Sequence, residues 1–172
     1  MRDLYKEMHN LLYDCDRMYK LRKNHMRPDK IRPIALCVLI QNDTIFVTEF
    51  GHPDSDTFYY RPLGGGIEFG EYALDALRRE MREEINAEID NVKFIGVLEN
   101  IFSTSEGNGH EICMMFSATF AEAERHHPDY QVTGIEEGGT FHALWKPLSM
   151  FRNGDAPLFP DGLLTLINNF TD

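Results

Sequence analysis

The sequence predicts a layered α/β domain, with a mixed β-sheet and helices between and after its strands. Three observations carry that expectation. Runs rich in Val, Ile, Phe and Tyr at 31–41, 44–50, 58–60, 92–102, 112–120 and 140–145 read as strands. Residues 72–85 instead place Leu74, Leu77, Met81 and Ile85 on one helical face, and 160–170 reads as a closing helix entered through Pro160 and Asp161. The chain has 172 residues, of which 42% are hydrophobic, enough for one buried core.

Taken in order, residues 2–26 read as an amphipathic helix. Leu4, Met8, Leu11, Cys15 and Met18 alternate spacings of four and three, with Tyr5, Leu12 and Tyr19 beside them. Such a stripe packs on its own domain or pairs two copies into a homodimer, and the residues alone leave both open. Pro28 closes the segment, so 1–29 is expected to be a helical extension and 30–172 the main domain. Asn42-Asp43 between two strand runs predicts a hairpin. Residues 61–70 hold Pro62 and the run Gly64-Gly65-Gly66 and are expected to form a loop. Residues 92–102 and 112–120 are apolar on both alternating faces, the pattern of central strands covered on both sides. Residues 121–138 read as a polar loop. Its neighbours His126 and His127 are not expected to converge on one ion.

Composition excludes several functions. A formal net charge of −11 repels a phosphate backbone, so long nucleic acid is not an expected partner. A small anionic substrate remains open, because a local cation overcomes the global field. Cys15, Cys37 and Cys113 are odd in number and widely spaced, which argues against a disulfide framework or a zinc site. The N-terminal segment carries Asp3, Glu7, Asp14 and Asp16 with no apolar signal core, and the longest clean apolar run, 34–40, is too short to span a bilayer. A cytoplasmic protein without a membrane partner is the expectation.

The chemistry concentrates in GGIEFGEYALDALRREMREEINA, residues 65–87. Glu80, Glu83 and Glu84 stand at i, i+3 and i+4 and share one helix face. Such carboxylates repel one another unless solvent, arginine or a hard divalent cation relieves them. Mg²⁺ and Mn²⁺ prefer carboxylate oxygen. The glycines before the helix let backbone groups approach a phosphate or a metal. Together these are the outline of a diphosphate site.

The spacing of Gly65, Glu71, Arg79, Glu80, Met81, Glu83 and Glu84 resembles the Nudix box, the signature of the Nudix hydrolases. Two positions depart from it: Asn86 stands where the box has glycine, and Ala87 at its last apolar position. Asn tolerates the left-handed conformation that ends a helix, so the turn is expected to survive. YRPLGGG at 60–66 also looks like the usual entry to the box. The resemblance covers residues 30–172 and implies a Nudix-type α/β/α sandwich with a mixed sheet.

It also implies roles. Glu80, Glu83 and Glu84, with the Gly64 carbonyl, would hold Mg²⁺, or Mn²⁺ in its place. Arg79 would orient the helix carboxylates, and Glu71 would hold the loop's shape. Arg61, Gly65 and Gly66 would contact the substrate. The general base varies in position across the family. Outside the box, Glu99 lies between Val97 and Ile101 on an apolar strand face, and Glu111 opens a strand beside His110. Each is otherwise a paired or exposed glutamate. The implied reaction is metal-assisted hydrolysis of a phosphoanhydride bond, in a nucleoside diphosphate-linked small molecule or a nucleoside triphosphate. The alternative is a catalytically silent Nudix-fold module that binds nucleotide, although such modules generally lose box glutamates and this chain keeps them. Subfamily markers for ADP-ribose, diadenosine polyphosphates and NADH are absent here, which elects no substrate.

Overall fold

The computed structural model describes residues 30–51, 58–104, 107–136 and 139–171. The expected helix over 2–26 lies outside them. Asn42 and Asp43 both take positive φ, 47° and 58°, as a tight hairpin turn requires. They join β1 (Arg32–Gln41) to β2 (Thr44–Gly51). Then follow β3 (Phe58–Arg61), β4 (Leu63–Gly66), α1 (Ala73–Ile85), β5 (Ile89–Thr104) and β6 (Gly107–Phe120). A 3-10 turn (Ala123–His126), β7 (Gln131–Glu136), β8 (Gly139–Pro147), α2 (Leu148–Arg152) and α3 (Leu163–Thr171) complete the order.

The strands form one mixed sheet in the order β5-β6-β1-β2-β8-β7, with β3 on β2 and β4 on β1. The β1–β6 pair is parallel, and the other strand pairs are antiparallel. β1 pairs with β2 only from Leu39 to Gln41, and over Ile34–Cys37 its partner is β4. The sheet therefore divides at β1, and the glycine strand lines the division.

Helices cover both faces, which makes the α/β/α sandwich. α1 buries Ala76, Leu77, Met81 and Ile85 against Ala35, Cys37, Phe46 and Phe116. On the other face Leu148, Phe151, Leu163 and Ile167 pack on Ile34, Leu36, Ile45 and Met115. Alternate residues of β1 feed the two cores, as a doubly covered strand must. Among the described residues no helix is long and apolar enough to cross a membrane.

Three expectations are corrected. Residues 63–66 form a strand rather than a loop. Glycine reads as loop because it has no side chain to pack, yet here that absence is what the pairing needs. Gly64 has φ +124°, and a Cβ there would stand 2.1 Å from the Ala35 carbonyl oxygen. Residues 92–102 lie in the outermost strand β5, which pairs with β6 alone. Their apolar residues are not all covered: Val97 is 52% and Ile101 66% exposed. Residues 131–136, expected within a polar loop, form β7, whose partner is β8. Its β-branched Val132, Thr133 and Ile135 suit an edge strand despite polar neighbours.

Candidate active site

The helix α1 ends as its sequence requires. Asn86 is left-handed, φ 49°, and its N–H donates to Arg82 O at 2.9 Å while Ala87 N–H donates to Met81 O at 3.0 Å. Asn in place of the box glycine therefore preserves the turn.

Arg79 is the hub of the segment. Its Nε and Nη2 donate to the two oxygens of Glu71, both at 3.0 Å. Nη1 donates to Glu80 Oε1 at 2.8 Å and to Glu83 Oε2 at 3.2 Å, and Nη2 also reaches the Gly66 carbonyl at 2.9 Å. A rigid five-donor fork thus ties loop, strand and helix together. Glu71 further accepts from the Glu68 N–H at 3.1 Å. The Arg79 hydrogen bonds, then that backbone bond, hold the Glu71 carboxyl below its ordinary range.

The three helix glutamates are not equivalent. Glu83 is turned outward, its side chain 61% exposed, and pairs with Arg79. Glu80 and Glu84 point into the division of the sheet. A Cβ on Gly65 would lie 2.5 Å from Glu80 Cδ, so glycine at 65 makes room for that carboxylate. Burial holds Glu80 above its ordinary range, with Glu83 and Glu136 adding repulsion against the pull of Arg79. Burial, and then the charges of Glu136 and Glu80, push the Glu84 carboxyl up to about 8, although Arg61 and a backbone hydrogen bond at Gly64 oppose this. Arg61 Nη2 also donates to the Gly64 carbonyl at 3.3 Å. Gly66 pairs with Ile34 in β4.

The outside acid that meets the helix pair is Glu136, at the end of β7. Neither expected candidate does so. Glu99 sits on β5 with its side chain 61% exposed, 2.8 Å from His110 Nε2. Glu111 is only 3% exposed and accepts from Asn100 Nδ2 at 3.2 Å, with Arg32 at 3.9 Å. Spacing could not reveal Glu136, because it lies 52 residues beyond Glu84 in a stretch that reads as loop. His126 bonds to Gln41 and to the Phe120 carbonyl, consistent with a structural role. Cys37 and Cys113 are buried. Trp145 packs against Phe46 in the core and is not open for stacking.

Among the described residues no three His, Cys, Asp or Glu side chains converge closely enough to hold a cation as arranged. Arg79 explains this in part, since it draws Glu80 and Glu83 to its own guanidinium. The donor chemistry nevertheless fits a hard divalent ion. Glu80 and Glu84 offer carboxylate oxygens drawn partly out of water, and the repulsion among Glu80, Glu84 and Glu136 is what such an ion would relieve.

The chain resembles several known proteins. Over 67 residues it is 34% identical to the NAD-capped RNA hydrolase NudC of Pseudomonas fluorescens, a match covering 39% of this chain and 24% of that protein. The match thus spans about a quarter of that relative's length. A NUDIX hydrolase from Nitrosomonas europaea superimposes with a TM-score of 0.59 at 18% identity, covering 83% of this chain and 89% of that one. A MutT NUDIX hydrolase from Burkholderia pseudomallei gives 0.52 at 16% identity, covering 70% and 86%. These two likenesses establish the fold. The NUDIX domain profile matches residues 30–161, most of the chain, and the protein belongs to the Nudix hydrolase family.

Proposed function

We propose that the protein hydrolyses a phosphoanhydride bond in a nucleoside diphosphate-linked small molecule or a nucleoside triphosphate, with Mg²⁺ or Mn²⁺. The observation that carries this is the mutual repulsion of Glu80, Glu84 and Glu136 beside the glycine strand and Arg61, with Glu80 and Glu84 drawn partly out of water. Glu80 and Glu84 would hold the ion. When bound, it would neutralise diphosphate oxygens and acidify the attacking water.

The chain's own residues do the rest. Arg79 keeps Glu80 in one orientation through its bonds to Glu71 and Gly66. Arg61, which donates to the Gly64 carbonyl, would meet a substrate phosphate beside the glycine strand. Glu136 takes the proton of the attacking water at a carboxylate oxygen, whereas Glu99 and Glu111 are engaged by His110 and by Asn100 and Arg32. The name of the NudC relative makes a dinucleotide diphosphate such as NAD worth testing. The charge of −11 disfavours an RNA-linked substrate.

The test is release of phosphate or nucleotide from nucleoside triphosphates, NAD and nucleotide-sugars with Mg²⁺. Turnover of at least one class is expected, and Glu84→Gln should lower it by about a hundredfold or more. Tight binding without turnover across the panel would replace this reading with that of a silent binding module. A Glu84→Gln variant of near-normal rate would refute the assignment of the metal site.

A further inference from the structure

The helix α1 and the strand β7 meet in repulsion. Glu136, the last residue of β7, faces the charges of Glu80 and Glu84 on the helix. Like charges push the two elements apart, so contacts elsewhere must hold them together. One contact spans both elements. It is made by Arg125, in the 3-10 turn that precedes β7.

Arg125 reaches the C-terminus of α1 with both Nη atoms. Nη2 donates to the Asn86 carbonyl at 2.8 Å and Nη1 to the Ile85 carbonyl at 3.4 Å. These carbonyls follow Glu84 directly in the chain. A helix end leaves such groups without internal partners and carries partial negative charge, so a guanidinium suits it on both counts. The same Nη1 donates to the Tyr130 hydroxyl, and Tyr130 is the residue before β7. One planar fork thus joins the last turn of α1 to the entrance of β7.

The fork is itself held in place. The Arg125 carbonyl accepts from Trp145 Nε1 on β8 at 3.0 Å, and Arg125 Nε stands 3.2 Å from Glu122 Oε2. The guanidinium lies over the Phe120 and Tyr130 rings, 5.7 and 5.5 Å from their centroids. Its side chain is only 12% exposed.

We propose that Arg125 is a positioning residue: by tying the end of α1 to the start of β7, it sets Glu136 against Glu80 and Glu84. The inference rests on the reading of those three carboxylates as the reactive centre. The bonds of Arg125 go to the helix end and to Tyr130, so it acts on the chemistry through placement of the backbone.

Hydrogen exchange tests the tie without any substrate. In Arg125→Ala, with chelator present, peptides covering 82–87 and 131–136 should both exchange about tenfold faster than in the wild type, while 34–39 in the buried β1 keeps its rate. Tyr130→Phe removes only the β7 side of the tie, so 131–136 should quicken and 82–87 should not. Should Arg125→Ala fail to fold, Arg125→Lys keeps the charge but lacks the fork, and the same pattern is expected at about threefold. An unchanged rate over 131–136 in the folded variants would overturn the inference. Kinetics supplies a second readout. Arg125→Ala should lower kcat about tenfold with KM within about twofold, and added guanidinium should restore much of the loss. An unchanged kcat, or a loss that guanidinium leaves untouched, would also overturn it. Failure of the wild type on every substrate would strike the proposed reaction, and the exchange rates would still decide whether Arg125 makes the tie.

Discussion

A carboxylate's role here depends on what faces it more than on where it stands in the sequence. Glu80, Glu83 and Glu84 share one helix face, yet Arg79 claims Glu83 at the surface while Glu84 is buried toward Glu136. Glu99 and Glu111 look comparable in sequence, each flanked by strand residues. One is paired with His110 in solvent, and the other is satisfied by Asn100 inside the fold. Glu136→Gln should therefore lower kcat about 10- to 100-fold with little change in KM, the scale of a lost general base. Glu99→Gln should stay within about twofold of wild type. Steady-state kinetics on the best substrate compares the two directly, and the reverse ranking would remove Glu136 from the mechanism.

At the scale of the element, the glycine strand β4 makes two neighbouring substitutions act differently. Gly64 occupies a backbone conformation that side chains resist, and its missing Cβ faces the Ala35 carbonyl. Gly64→Ala should destabilise the fold by about 2 kcal/mol or more, seen as a lower denaturation midpoint. Gly65 instead faces the mobile end of Glu80. Gly65→Ala should leave the midpoint nearly unchanged while displacing that carboxylate and cutting turnover about tenfold or more. Equal effects on folding and rate at both positions would contradict this division. The box helix was legible in the sequence because helical periodicity and capping are local. The strand character of 63–66 was not, since glycine carries no side-chain signal and the pairing partner is distant. The outer position of β5 was hidden for a related reason. Its apolar residues on both faces mimic a central strand, and sheet order is not written in any one segment. Glu136 was missed because β7 sits in a stretch whose polar residues resemble a loop.

For the whole molecule, these local environments set opposing dependences of stability on pH. Glu71 and Glu88 are held below their ordinary value of 4.5, by Arg79 and Arg82 respectively. Each favours the fold above that value, and the contribution is lost as pH falls through the lowered folded value. Glu80 and Glu84 act in the opposite sense. Glu84 is raised from 4.5 to about 8, so between those values the folded state binds the proton more tightly than the unfolded chain. Its favourable contribution is fully present below 4.5 and is lost as pH rises through about 8. The metal-free protein should therefore lose melting temperature between pH 6 and pH 9, and Glu84→Gln should flatten that decline. A divalent ion that binds the ionised carboxylates stabilises the fold by mass action and competes with their protons. Saturating Mg²⁺ or Mn²⁺ should then raise Tm more at pH 8.5 than at pH 6, and the excess should vanish in Glu84→Gln. Thermal melts at the two pH values, with metal and with chelator, measure all of this. A metal-induced shift of equal size at both, retained in the variant, would place the ion somewhere other than at Glu84.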